Sequence, residues 1–252
     1  MSSSIWTRCG GASELRALRL EPWRVVEAQH QISTRKLVAS DAEQALLEDL
    51  IESAKPPDPR SGKLHYLLST PFRYPPLRHG SRFAVRGERG IWYGSEEVRT
   101  AFAEAAYYRL LFLEGTHADM GVVETQLSLF SIGVRTERGV DLTAPPFDAF
   151  VSELASRTSY RATQPLGSTM REAGVEAFRF VSARDLEGGV NVGAIEPVVF
   201  GRGRRPRNLQ TWHCAATKVR VEMIKRDYFA RSSFGFERSQ FLVDDVLPIP
   251  VT

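Results

Sequence analysis

The stretch from Arg73 to Gly115, RYPPLRHGSRFAVRGERGIWYGSEEVRTAFAEAAYYRLLFLEG, constrains the fold more than any other part of the chain. Its signals predict a strand starting at Arg82–Phe83, a glycine turn, a short strand IWY ending at Tyr93, and then a long helix. Ser95 is the expected N-cap, Glu96 and Glu97 suit the positive start of the helix, and Gly115 stands where the helix should stop. Arg82, Tyr93 and Glu104 fall eleven positions apart along this unit.

Glu104 is the residue that a purely structural helix does not explain. It shares its helix face with Thr100, Ala101, Tyr107, Tyr108 and Leu111. None of its neighbours three or four positions away is basic, so no local ion pair holds it. The helix is apolar or aromatic over most of its circumference, which predicts that it is largely buried. A carboxylate in that setting needs a non-local partner or a ligand, because burying it bare costs several kcal/mol or shifts its pKa. The alternative is a solvated glutamate at an exposed end of the same face, with Glu97 on the same side.

Composition excludes some functions. A chain of 252 residues can bury a substantial core, as one large domain or two small ones. The net charge of +3 argues for nucleic-acid binding only if it is concentrated. The densest basic cluster is GRGRRPR, with Arg202, Arg204, Arg205 and Arg207, lying between two predicted strands. It reads first as a solvated hairpin loop and second as a docking surface for a phosphate or an acidic protein. It lacks interleaved aromatics, and the chain shows no helix-turn-helix pattern, so direct nucleic-acid binding is not expected. Cys9 and Cys214 make no disulfide framework, and the five histidines have no ligand spacing, so no metal site is expected. The N-terminus lacks the apolar core of a signal peptide, and no apolar run could span a bilayer. The expected location is the cytoplasm, without membrane attachment.

Along the chain, Asp41–Ala54 predicts an amphipathic helix with Ala45, Leu46, Leu50 and Ile51 on one side, closed by the loop KPPDPRSG. Leu64–Thr70 reads as a strand, and Val122–Val134 as a long one. Pro145 and Pro146 open a helix to about Ala155, and Ser159–Gly174 is helical, restarting at Pro165. Phe178–Ala183, Val190–Phe200 and Leu209–Ile224 are strand-like. The expected fold is α+β, with mostly antiparallel sheets and flanking helices. Residues 1–62 form an N-terminal extension with one helix, ahead of a domain over 63–252. No sustained βαβ alternation and no GxGxxG after a strand are present, which disfavours a Rossmann fold. A GxSxG elbow and a Walker A loop are also missing. Asp148, Glu153, Asp185 and Asp227 are each candidates to pair with Glu104 as a second carboxylate. Ser182, in FRFVSARD, reads alone as an ordinary strand-end hydroxyl.

The segment RHGSRFAVRGERGIWYGSEEVRTAFAE resembles the core motif of the RES domain: an RF strand start, a small strand ending in Tyr, and a helix containing Ala-Glu. Those positions are Arg82–Phe83, Tyr93 and Ala103–Glu104. A later strand in the family carries Ser followed by Ala-Arg, matched here by Ser182, Ala183 and Arg184. RES proteins resemble ADP-ribosyltransferases of the diphtheria-toxin and PARP type, and are usually toxins neutralised by an Xre-like helix-turn-helix antitoxin.

The resemblance implies an ADP-ribosyltransferase-like fold and NAD⁺ as substrate. It implies Glu104, Tyr93 and Arg82 as catalytic residues. Arg82, Tyr93 and Ser182 would bind NAD⁺, with His79 added for its proximity to Arg82. Arg82 would clamp a phosphate or ribose, Tyr93 would stack on nicotinamide, and Glu104 would hold the nicotinamide ribose and stabilise charge at its anomeric carbon. The implied activity is transfer of ADP-ribose from NAD⁺ to a protein acceptor, such as an enzyme of nucleotide metabolism. Alternatives are an NAD⁺ glycohydrolase or phosphorylase, and a non-catalytic nucleotide-binding module.

Overall fold

The structure, a computed structural model, describes residues 4–28, 37–40, 42, 43, 46, 47, 50, 51, 54, 64–75, 79–201, 205–226 and 231–251. Its strands are β1 (Arg16–Leu20), β2 (Trp23–Glu27), β3 (Trp92–Ser95), β4 (Val123–Ser131), β5 (Val134–Asp141), β6 (Ala177–Val181), β7 (Val190–Ala194), β8 (Arg207–Ala216), β9 (Arg220–Arg226) and β10 (Arg231–Glu237). All ten join one sheet in the order β1-β5-β6-β7-β3-β2-β4-β8-β9-β10. Every described pairing between them is antiparallel except β5 with β6. That parallel pair needs a long crossover, and the chain supplies it with helical segments between residues 147 and 172, among them α4 (Val151–Leu154). The expected α+β class with a mostly antiparallel sheet is what the chain adopts, as a single sheet rather than several.

After a short helix, α1 (Ile5–Arg8), the N-terminal residues belong to that sheet. β2 lies between β3 and β4, with Trp23 opposite both Ser95 and Ser131. The boundary expected at residues 62 and 63 falls outside the described residues. Of the helix expected over residues 41–54, the described residues Ala42, Glu43, Leu46, Leu47, Leu50 and Ile51 are helical. Leu46, Leu50 and Ile51, expected to share its apolar side, are exposed.

Other elements depart from expectation for local reasons. Leu64–Thr70 is not a strand: α2 (Tyr66–Arg73) is a helix, capped by the His65 side chain, which accepts from the Leu67 N–H. Its buried Leu68 and Phe72 are one helical turn apart, a spacing that a short apolar run conceals. Arg82 and Phe83 do not start a strand either. They occupy a tight turn closed by a bridge between Ser81 and Ala84. Ser95 ends β3, and the long helix α3 (Val98–Glu114) takes Glu97 as its cap without a side-chain bond. Gly115 does terminate α3, its N–H reaching the Leu111 carbonyl at 3.1 Å. The expected strand from Leu209 to Ile224 is a hairpin, β8 and β9, turning at residues 217–219.

Helix α3 is packed by residues one turn apart. Phe102, Ala106, Tyr107, Leu110 and Leu113 are buried with Leu127 and Leu129 of β4, Trp212 of β8, Met223 of β9 and Phe236 of β10. Phe102 meets Trp212 edge-on with ring centroids 4.8 Å apart. A second cluster surrounds the 81–84 turn, where Phe83 contacts Phe178 and Phe180 at 4.7 and 4.9 Å. Helix α5 (Thr163–Glu172) seats against that turn through Gly167, where any Cβ would collide with the Phe83 carbonyl. Among the described residues, no helix is long and apolar enough to cross a membrane.

Candidate active site

Segments far apart in sequence meet at a cleft of about 300 Å³. β2 contributes Arg24. The 81–104 unit contributes Arg82, Tyr93 and Glu104, and the start of the chain's last third contributes Arg184 and Asn191. Arg82, Tyr93 and Glu104, singled out by their spacing, therefore share one wall.

Glu104 is not unpartnered. Its Oε1 accepts from Ser182 Oγ at 2.7 Å and from Asn191 Nδ2 at 2.6 Å. Both donors are themselves oriented. Ser182 Oγ accepts from the N–H groups of Arg184 and Asp185, each at 3.1 Å, which directs its own proton to the carboxylate. Asn191 Oδ1 accepts from buried Ser95 Oγ at 2.6 Å, so its amide nitrogen faces Glu104. Ser95, expected to cap the helix, instead orients the residue that orients Glu104. Oε2 accepts no hydrogen bond from the described residues. The carboxylate is thus held at one oxygen and available at the other.

The loop after β6 is bound to α3 through Ser182 and Asp185. Ser182 reaches Glu104, and Asp185 accepts from Arg99 and, at 2.8 Å, from Thr100 Oγ1. Gly189 permits the approach, since a Cβ there would strike Thr100 and Asp185. Thr100 and Glu104 lie one turn apart, so a single helix face sets the position of the whole loop.

Arg82 and Tyr93 are fixed by the 81–84 turn. Gln164 of α5, buried, donates to the carbonyls of His79 and Ser81 at 3.0 and 3.1 Å and so anchors the turn. Arg82 Nη1 donates to the carbonyls of Leu154 and Ser156 at 3.2 and 2.8 Å, and its guanidinium stacks 5.1 Å from the Tyr160 centroid. The Tyr93 hydroxyl lies 3.0 Å from Ser81 Oγ and accepts from the Phe83 N–H at 3.3 Å. Burial pushes its phenol up to about 12, so it stays protonated through the physiological range. Arg24 donates to the Tyr93 carbonyl at 2.7 Å.

Other candidates lie elsewhere. The His79 side chain is exposed and is not part of the cleft wall, although its carbonyl anchors the turn. Asp148, Glu153 and Asp185 do not line the cleft, and Asp227 falls outside the described residues. Arg202 and Arg204 of the basic loop also fall outside them. Among the described residues, no group of three His, Cys, Asp or Glu is placed to hold a metal ion. Sequence reasoning missed Asn191 and Arg24. Asn191 carried one signal, a lone amide between valines in an apolar strand, whereas Arg24 sat in a segment without clear periodicity.

No curated protein matches the sequence. Among solved structures, the chain resembles one from the crystal structure of the M. tuberculosis MbcT–MbcA toxin–antitoxin complex. The identity is 13%, with 86% of this chain and 94% of that one covered and a TM-score of 0.47. The model of the RES domain family matches residues 57–215, which span the 81–84 turn, α3, Ser182 and Asn191, and the chain belongs to that family.

Proposed function

We propose that this protein consumes NAD⁺ and transfers its ADP-ribosyl group to a protein acceptor, acting as the toxin of a toxin–antitoxin pair. The observation that carries the reading is the Glu104 carboxylate, with one oxygen held by Ser182 and Asn191 and the other left to a cleft shared with Arg82 and Tyr93. Membership of the RES family supports the substrate class.

NAD⁺ cleavage develops positive charge on the nicotinamide ribose as nicotinamide leaves. Glu104 Oε2 accepts from a ribose hydroxyl and stabilises that charge, while Ser182 and Asn191 prevent the carboxylate from rotating. An oriented group of this kind costs little reorganisation at the moment of reaction. Tyr93 offers its ring to nicotinamide while its hydroxyl stays tied to Ser81 and Phe83. Arg82 braces the wall through the carbonyls of Leu154 and Ser156. Ser182 acts through Glu104 as a positioning residue. The expected neutralising partner is an Xre-like helix-turn-helix protein that denies the cleft to NAD⁺.

Incubating the protein with NAD⁺ labelled in its adenylate moiety, together with a cell lysate, tests the reading. Label is expected on protein and absent with Glu104→Gln. Free ADP-ribose or its phosphate ester without labelled protein would instead assign hydrolysis or phosphorolysis. Intact NAD⁺ after long incubation, with binding retained, would leave a nucleotide-binding module.

A further inference from the structure

The cleft wall carries a cation that the described residues do not answer. Arg184 is 3% exposed, and its Nη1 and Nη2 are both buried without a hydrogen-bond partner. The other two arginines of the wall differ. Arg24 donates to the Tyr93 carbonyl, and Arg82 to those of Leu154 and Ser156. No carboxylate among the described residues pairs with Arg184. Glu104 is the one carboxylate on the described wall, and its Oε1 is taken by Ser182 and Asn191.

Arg184 is nevertheless held firmly. Its guanidinium carbon lies 3.5 Å from the centroid of Tyr107, whose hydroxyl donates to the Pro248 carbonyl. Its backbone N–H is bound to Ser182 Oγ. A like charge stands close by, since burial first and Arg184 second push the Arg157 guanidinium down from its ordinary value. Burying a rigid guanidinium beside another, with two NH₂ groups unsatisfied, is a costly arrangement for the empty protein. It becomes favourable when an anion enters that offers two oxygens to the planar guanidinium fork. Three cations against one carboxylate on the described wall point to the same class of ligand.

We propose that Arg184, rather than Arg82, grips the phosphate oxygens of the substrate through Nη1 and Nη2, with Tyr107 as its backstop. The proposal rests on the NAD⁺ reading only for the origin of the phosphate. The pyrophosphate of NAD⁺ and a free inorganic phosphate acting as acceptor share this chemistry.

Calorimetric titration of wild type, Arg184→Gln and Arg184→Lys with ADP-ribose, inorganic phosphate and nicotinamide riboside separates the cases. Arg184→Gln is expected to weaken ADP-ribose binding about 10- to 100-fold, with Arg184→Lys recovering part of it and nicotinamide riboside binding unchanged. Ligand-free Arg184→Gln is expected to unfold at the same temperature as wild type or higher, while the stabilisation by ADP-ribose is lost. An Arg184-dependent site for inorganic phosphate alone would uphold the grip and make free phosphate its source. Unchanged ADP-ribose and phosphate affinities in a folded Arg184→Gln, or failure of the wild type to bind either anion, would overturn the proposal. A wild type that leaves NAD⁺ intact yet binds ADP-ribose through Arg184 would sink the enzymatic reading and keep this one. Undiminished NAD⁺ turnover with unchanged KM in Arg184→Gln would do the reverse.

Discussion

The two sides of α3 have opposite designs. On one, Phe102, Ala106, Leu110 and Leu113 are sealed against four strands, with no polar side chain among them. On the other, Glu104 faces a cleft beside Ala105 and the exposed Tyr108, and its position depends on donors from loops and strands some eighty residues away. The packed side holds the helix by area removed from water, which is non-directional and tolerant of small shifts. The cleft side holds one oxygen atom by directional bonds, which lose strength steeply with misalignment. Substitutions on the first should therefore cost stability and those on the second should cost turnover.

The largest separation is expected from Phe102→Ala, which should lower unfolding free energy by about 3–5 kcal/mol through the cavity it leaves beside Trp212. Denaturant titration measures this, and turnover per folded molecule should stay close to wild type. Glu104→Gln should give the mirror result. Turnover of NAD⁺ is expected to fall by about 10²- to 10³-fold, with a denaturation midpoint close to that of wild type. A shared loss of stability and turnover in either variant would break the comparison.

Smaller effects sharpen it. Asn191→Ala removes a donor from Glu104 and leaves buried Ser95 without its acceptor. It should cost about 1–3 kcal/mol of stability and lower kcat more than it raises KM. Asp141 tests the electrostatics of the sheet. Burial acts to raise its pKa, but hydrogen bonds from Thr143 and the Arg179 guanidinium outweigh this and hold it below the ordinary value. A depressed carboxylate stabilises the fold above its unfolded pKa, and the contribution disappears as pH falls through the folded value. Asp141→Asn should accordingly flatten the acid limb of stability by about 1 kcal/mol. Tyr93 has the opposite sign. Its folded pKa of about 12 exceeds the ordinary 10.0, so its stabilising contribution is complete below 10.0 and lost as pH rises towards 12. Tyr93→Phe should reduce the alkaline loss of stability in that window, and wild-type turnover should show no tyrosine ionisation below pH 10.0.

The geometry bears unevenly on what the sequence discloses. Arg82, Tyr93 and Glu104 stand on adjoining elements within 23 residues, so local spacing carries information about their convergence. The carboxylate's partners do not. Asn191 reaches Glu104 through the pairing of β3 with β7, a register that no local pattern encodes. Glu104's apparent isolation was a property of its own helix, since its neighbours in space are 78 and 87 residues on. The same distinction explains α2, where His65, Leu68 and Phe72 define a helix over a window too short to distinguish its period from that of a strand. β5, polar over RTER, is a strand because β1 and β6 flank it, not because its residues prefer extension.

The place of β2 has a consequence for timing. Its Arg24 leaves the ribosome well before its sheet partners β3 and β4 and the donor Asn191. Roughly ten to thirty seconds of synthesis separate Arg24 from Asn191. Until then the cleft lacks part of its lining and Glu104 lacks the Asn191 donor. Under the proposed NAD⁺-consuming activity, this delay leaves a partner made alongside the chain the whole interval in which to arrive.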